Sequence, residues 1–509
     1  MSNPKKNLPR PLQLLFEYSG FLLLGTAAAL LWANLDPGSE STPGTYSRFI
    51  HFEPFAALTG NRHDAHENGH DGEHANGEHS ATTEHARGDA AQPADSTEQS
   101  DSTEQVADDS QPADEGEQGV AANESTETEP AAHATHGRWT LHFLVTDLLM
   151  ALFFAIAAKE VWEAMLPGGA LSNLRKAATP LFATLGGIVG PAAIYLGGAY
   201  LFDTSGHLGR GWAIPCATDI AFSYLAARLI FGAGHPAIAF LLLLAIADDA
   251  AGLVIIAVFY PDPSVPLNLW WLLLTVAAMA MCIGMRKMRL HSFWWYVLIP
   301  GVLSWISFYK AGIHSALGLV PIIPFLPHAK SDLGIYAKEE LGRHDTLNEF
   351  EHFWKRPVEV ILGLFALVNA GVVFSNVGLG TWLVLGGLIV GKPLGITLLT
   401  LFAEKGLRLE LPPGMSYRHV VSLGMVAGIG FTVALFVSTA AFPASSGVPL
   451  ATIDSVKMGA LASFSAALLA YVLARLLGVR ALKPGGQRLV SESTNMDLYG
   501  ADDRAARPC

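Results

Sequence analysis

Long apolar runs separated by short polar stretches dominate the chain. They fall at 11–33, 143–162, 178–202, 212–232, 236–260, 266–285, 293–309, 311–326, 358–379, 381–402, 420–442 and 457–477. Runs of roughly 20 apolar residues are long enough to cross a bilayer as helices. The pattern therefore predicts an all-α polytopic membrane protein with about twelve transmembrane helices. The first run comes after Lys5, Lys6 and Arg10, as a signal peptide would, but it carries Glu17 and ends in LLWANLDPGS without a small-residue cleavage site. It reads as a retained first helix. The Gly-rich tracts GGIVG at 186–190 and GMVAGIG at 424–430 predict either close helix packing or helix breaks.

Composition agrees with this reading and excludes an ordinary soluble enzyme. Only 15% of the 509 residues are charged, against about 25% in soluble domains. Mean hydropathy is +0.34. Charge also divides the chain. Residues 61–130 carry 19 Asp and Glu against Arg62 and Arg87, a net of −17 within a total of −13, which leaves everything else at about +4. The expected organisation is an N-terminus with the first helix (1–56), an acidic insert (57–137), a membrane domain holding spans two to twelve (138–480) and a C-terminal tail (481–509). The insert repeats DSTEQ at 95–99 and 101–105 and is expected to be disordered. It also holds His63, His66, His70, His74, His79, His85, His133 and His136. Two readings of it stand: a solubilising acidic spacer, or a weak cation-collecting brush. Cys216, Cys282 and Cys509 make no disulfide or metal pattern.

Twelve spans place both termini on one side. The short loops on that side carry Arg175 and Lys176, then Arg286, Lys287 and Arg289, then Lys330, Lys338, Arg343, Lys355 and Arg356, then Lys405, Arg408 and Arg418. The opposite loops hold little beyond Arg210, Lys310 and Lys457. The excess of basic residues predicts cytoplasmic termini and an insert facing outward.

An ionisable group deep in a span costs roughly 2.5–3.5 kcal/mol on insertion scales and is a functional hypothesis by default. Asp219 stands in WAIPCATDIAF, where Pro215 and Cys216-Ala217-Thr218 are expected to break the fourth span. Asp248 and Asp249 are adjacent in LLLLAIADDAAGLVII, at the centre of the fifth. Adjacent helical residues diverge by about 100°, so one carboxylate can face a cavity while the other meets a basic partner. Lys392, midway along the tenth span, is the candidate. Gly424, Gly428, Gly430 and Thr432 predict a second break, in the eleventh span. Interrupted helices at corresponding positions in two halves point to a transporter site at the bilayer midplane, with spans three to five and ten to twelve as the matching units. Carboxylates, a threonine and freed carbonyls suit a hard monovalent cation such as Na+ or Li+. A carboxylate that binds either that cation or a proton makes an exchanger without a separate coupling device.

These motifs resemble those of the NhaA-type Na+/H+ antiporters: TDLLMALFF (146–154), GWAIPCATDIAF (211–222), AIADDAAGLVIIAVFY (245–260), KAGIHSALGLV (310–320), NAGV (369–372), GKPLGI (391–396) and GIGFTVALF (428–436). The resemblance covers most of 11–480 outside the insert. It implies an inverted-repeat fold with discontinuous, crossed fourth and eleventh helices, and electrogenic export of cytoplasmic Na+ or Li+ across a bacterial inner membrane in exchange for about two external protons. It implies cation and proton binding at Asp249 and Asp248, with Na+ held there, Thr218 and Asp219 at the break, and Lys392 as the compensating charge. Glu160 matches a position linked to pH response, with Lys159 and Glu163 beside it in AAKEVWEAM, where the family usually has a basic run. Asp147, His314 and Asn369 match motif positions without an assigned role, and for His314 a packed, hydrogen-bonded histidine is the favoured reading. The implied partners are Na+ or Li+, H+, the lipid bilayer and a second copy of the chain, although the insert occupies the place of the family's dimerising hairpin. No cofactor, nucleic acid or enzymatic activity is expected.

Three other readings have less in the sequence to carry them. A zinc exporter needs imidazole or thiolate pairs at helical spacing within the spans, such as HxxxD, and these are missing. An intramembrane aspartyl protease needs aspartates on two spans with a GxGD signature, which ADDAAG does not supply. A sensor built on an antiporter body has no need of an intact Asp219, Asp248, Asp249 and Lys392 set.

Overall fold

A computed structural model describes residues 19–37, 44–54, 139–263, 265–328, 345–443 and 446–482. The insert, the tail beyond 482, and Lys330, Lys338 and Arg343 of the orientation argument lie outside the described residues, as do Glu17 and the start of the first run. Among the described residues there are helices and no strands. In chain order they are α1 (Gly20–Leu35), the short α2 (Thr45–Ile50), α3 (Leu141–Met165), α4 (Leu174–Phe202), α5 (Ile220–Phe231), α6 (Pro236–Phe259), α7 (Leu269–Lys287), α8 (293–311), α9 (Thr346–Asn369), α10 (Leu379–Lys405), α11 (Tyr417–Ala427), α12 (Phe431–Ala441) and α13 (Leu450–Leu476).

Six of these are continuous, apolar and long enough to cross a membrane: α3, α4, α6, α7, α10 and α13. Two bent pairs add to them by length and composition. One is a 3-10 segment over Leu208–Cys216 that leads into α5 at 48°, and the other is α11 leading into α12 at 51°. This is an all-helical, multi-pass membrane protein. Aromatic and branched apolar side chains stay exposed along the helices, among them Leu201, Val254, Val258, Leu273 and Leu468, as a lipid-facing surface requires.

Some elements differ from the apolar runs. The run at 311–326 folds into two 3-10 turns, Ser315–Leu317 and Val320–Phe325. Gly312 in the left-handed region (φ 76°) ends α8, and Pro321 and Pro324 keep the residues after it from continuing as an α-helix. α9 starts at Thr346, capped by Asp345, well before the apolar run at 358, and stops at Asn369. α13 starts at Leu450, which places Lys457 within a helix and not in a loop.

The two glycine tracts have opposite fates. Gly186 and Gly190 of α4 face Gly391 and Gly395 of α10, four-residue spacings meeting each other. A Cβ at Gly391 would lie 2.6 Å from the Cα of Pro191, and one at Gly190 2.8 Å from the Cα of Gly395. Without bulk between them the backbones touch, which is how helices associate where lipid removes the hydrophobic drive. The second tract is the gap between α11 and α12, with Gly428 and Gly430 flanking it. α10 also contains a π turn at Gly387–Gly391 that ends beside Lys392, the kind of local widening that often accompanies a functional residue.

Candidate functional site

The two breaks are built against each other. After the 3-10 turn Ile214–Cys216, which Pro215 opens, the chain is extended through Ala217 and Thr218 to Asp219, the N-cap of α5. Asp219 Oδ1 accepts from the Phe222 amide at 3.2 Å. Its Oδ2 accepts from the Thr432 amide at 3.2 Å and from the Thr432 hydroxyl, both in the first turn of α12. One carboxylate thus serves the positive ends of two half-helices. The Asp219 amide returns a bond to the Ile429 carbonyl at 2.7 Å. Ser463 Oγ accepts from the Gly430 and Phe431 amides at 3.3 and 3.0 Å.

The opposite ends of the breaks expose carbonyls. Lys392, fully buried, donates to the Cys216 carbonyl and stands 2.9 Å from Asp248 Oδ2. The Thr218 hydroxyl donates to the same oxygen at 2.7 Å and lies 3.2 Å from the Ala427 carbonyl. The ammonium therefore meets a carbonyl at a half-helix C-terminus and a carboxylate at once, the compensation that a buried charge requires. Asp248 Oδ1 is buried with no partner among the described residues.

Asp249, one residue on, lines the same cavity as Asp248, with Phe153, Phe154, Ala217 and Val433 among its walls. Its carboxylate takes part in no hydrogen bond or ion pair among the described residues, although Asp248, Asp219, Glu160 and Lys392 all lie within electrostatic reach. A small cavity with one unengaged carboxylate, an apolar wall and carbonyls at its edge can bind a proton or a bare hard cation.

The remaining sequence candidates occupy two other places. Buried Lys159 of α3 bridges Glu163 at 2.5 Å and Glu351 of α9, and Lys355 lies 3.7 Å from Glu351. Glu160 is exposed beside this cluster. Glu351 is the residue that sequence reasoning missed here. Its signal was the Glu351–Lys355 pair at i,i+4 within a charged stretch read as a loop. Elsewhere, Asp147 sits in a π turn of α3 and accepts from the Ser315 hydroxyl at 2.6 Å, with His314 Nδ1 at 3.8 Å. His314 also caps the 3-10 turn, accepting from the Ala316 amide at 3.4 Å. Asn369, at the end of α9, bonds Thr146 at 3.2 Å and His142 at 3.0 Å. Thr146 and Ser315 are polar residues of the apolar runs, and His142 stands at the edge of one, where a search for charges passes over all three.

Residues 118–474 match the family Na+/H+ antiporter 1. The chain is 53% identical over 362 residues to a protein of Jannaschia sp. (strain CCS1) named Na(+)/H(+) antiporter NhaA, covering 67% of this chain and 84% of that one. It is 49% identical over 346 residues to the protein of that name from Geobacter sulfurreducens, covering 68% and 88%. With NhaA 1 of Pelobacter propionicus it shares 46% over 368 residues, 71% and 93% of the two chains. The chain belongs to the Na+/H+ antiporter 1 family.

Proposed function

We propose that this membrane protein is a secondary transporter, not an enzyme, that exchanges Na+ or Li+ for protons, with Asp249 as the group that carries either ion. The observation that supports this assignment is the contrast at one cavity. Asp248 is committed to Lys392 and Thr218, whereas Asp249 beside it has no partner among the described residues. Na+ would reach Asp249, with Asp248 Oδ1 and the carbonyls of the break in a position to complete the shell, and its arrival would displace the proton. The two states compete for one carboxylate, and this competition couples the two fluxes.

In this reading Asp219, Thr218, Thr432, Pro215, Gly428 and Gly430 hold the breaks open. Lys392 balances the charge, and Glu160, Lys159 and Glu163, now with Glu351, form the pH-responsive entrance. The count reaches twelve spans if α1, α8, α9 and the 3-10 turns at 315–325 join the six continuous helices and the two bent pairs, which would cross as half-helices of an inverted repeat. The acidic segment 57–137 would stand outside the membrane domain 138–480, and both termini (1–56 and 481–509) would meet the cytoplasm of a bacterial inner membrane. Association with a second copy would have to accommodate the acidic segment that occupies the place of the family's short hairpin. Two protons per cation would make the exchange electrogenic, worth about 2.3 kcal/mol per net charge per 100 mV.

The test is Na+-induced proton movement in proteoliposomes with a pH-sensitive dye, with and without a potential clamp. Exchange that speeds up when charge is compensated, and disappears in Asp249→Asn, is the expected result. Wild-type exchange in Asp249→Asn would remove the carboxylate from the mechanism.

A further inference from the structure

Glu359 lies in the fourteenth position of α9, within the apolar half of that helix, and the residues around it do not answer its charge. The Ser19 hydroxyl bonds it, free to do so because Ser19, the N-cap of α1, makes no side-chain cap bond. The Oε2 atom is buried with no partner among the described residues. α1 supplies no further donor nearby, since its next polar side chain after Ser19 is Thr26, whose hydroxyl donates to the Leu22 carbonyl at 2.9 Å. A single hydroxyl is enough to orient a carboxyl group, but a permanent buried charge needs a counter-ion or several donors. Asp219 and Lys392 show what that provision looks like in this molecule.

Glu359 also stands in line. Glu351, Lys355 and Glu359 sit at i, i+4 and i+8 on α9, rising by about 6 Å per step. Glu351 is bound to Lys159 in the entrance cluster. Glu359 lies within electrostatic reach of Lys355 on one side and Asp219 on the other. Of the elements packed on α9, α1, α12 and the first turn of α8 contribute no charged side chain. α3 contributes Lys159, Glu160 and Glu163, which gather around Glu351, and at its other end Asp147 and His142, the latter bonded to Asn369.

We propose that Glu359 is a proton-binding residue of the exchange reaction, passing protons between the Lys159–Glu351 cluster and the Asp219 break. The inference rests on the antiport reading above. The proton adds to a carboxylate oxygen of Glu359 from water at the cluster and leaves the same group toward the break, with no other bond changed.

The experiment compares full-length wild type, Glu359→Gln, Ser19→Ala and Asp249→Asn in proteoliposomes, measuring maximal exchange rate and apparent KM for Na+ across pH. Glutamine keeps the volume and the acceptor for Ser19 but carries no proton. Its maximal rate is expected to fall at least about tenfold at pH 8.5, where protons are scarce, with the gap narrowing as pH is lowered and the KM for Na+ changing less than about twofold. Ser19→Ala keeps the carboxyl and should stay near wild type. A Glu359→Gln profile that matches wild type at every pH, or one no worse than that of Ser19→Ala, overturns the proposal and leaves Glu359 a strut for α1. Should the glutamine variant fail to fold, Glu359→Asp carries the test, since a withdrawn carboxyl slows exchange at high pH and an unchanged rate overturns the inference. Absence of Na+-induced proton movement in the wild type marks failure of the antiport reading instead, and wild-type exchange in Asp249→Asn removes only Asp249 from it.

Discussion

At the helix breaks, carboxylates are surrounded by donors. Asp219 receives two amides and a hydroxyl, and Asp248 receives an ammonium and a hydroxyl. At the cavity wall one residue away, Asp249 has none of these. Asp248 and Asp249 share the same helix and the same cavity, but Asp248 is buried against its partners whereas Asp249 is only partly buried and has none. A carboxylate held by several donors costs too much to neutralise or to hand over to a cation. One without donors gains from either ion that reaches it. In the proposed mechanism the well-bonded groups are architecture, and the poorly bonded one, Asp249, exchanges its ion.

That contrast can be broken most severely at Lys392. Lys392→Met strands Asp248 as a buried, half-satisfied carboxylate and should destabilise the protein by about 3–5 kcal/mol, whereas Lys392→Met with Asp248→Leu removes both charges and should recover most of the loss. Thermal unfolding of the detergent-solubilised single and double variants reads this directly. Equal destabilisation in both would mean that the pair is not what secures the break.

A smaller effect sharpens the role of backbone contact in placing Lys392. Gly391→Ala puts a methyl group 2.6 Å from the Cα of Pro191. It should cost about 1–3 kcal/mol of stability as α4 and α10 part, and slow exchange as well. Gly197→Ala meets nothing within 4 Å and serves as the matched control, with stability unchanged or slightly raised.

The smallest effect lies outside the membrane. Burial alone would raise the Asp203 carboxyl, but bonds from the Ser205 hydroxyl and the Leu208, Ser205 and Gly206 amides hold it below the ordinary value of 3.8. A lowered value in the folded state means stability that is present above the unfolded value and lost as pH falls through the folded one. Asp203→Asn should therefore lower the thermal midpoint slightly at neutral pH, and the difference should shrink in acid. A gap that persists unchanged at pH 3 would show that the loop does not depend on the charge.

Much of the membrane body is legible in the chain because lipid imposes a simple rule. Every backbone polar group must be satisfied within the segment, so length and hydropathy announce the spans. The rule fails where a helix is amphipathic or interrupted. α9 begins twelve residues before its apolar run because charged residues from Glu349 to Arg356 continue the helix at its entrance. The run at 311–326 looks like a span and folds as short turns. Glu359 carries the same signal as Asp219, a lone charge in an apolar run, yet it is easily passed over beside the conspicuous Asp248-Asp249 pair.

The sequence by itself determined that this chain is helical, membrane-embedded and furnished with a small set of costly charges, because hydropathy and desolvation are properties of residues. Only the tertiary structure decided which of those charges is committed to a partner. Residues distant in sequence, Thr218, Lys392 and Thr432, converge on the breaks through glycine contacts whose geometry no local pattern specifies. Two glycine-rich tracts become a helix seam at 186–190 and a gap at 428–430, according to what stands opposite. Asp248 and Asp249 are the same residue in nearly the same place, and the partner that distinguishes them arrives from about 140 residues away along the chain, brought there because a buried ammonium and a buried carboxylate are each too costly to leave alone.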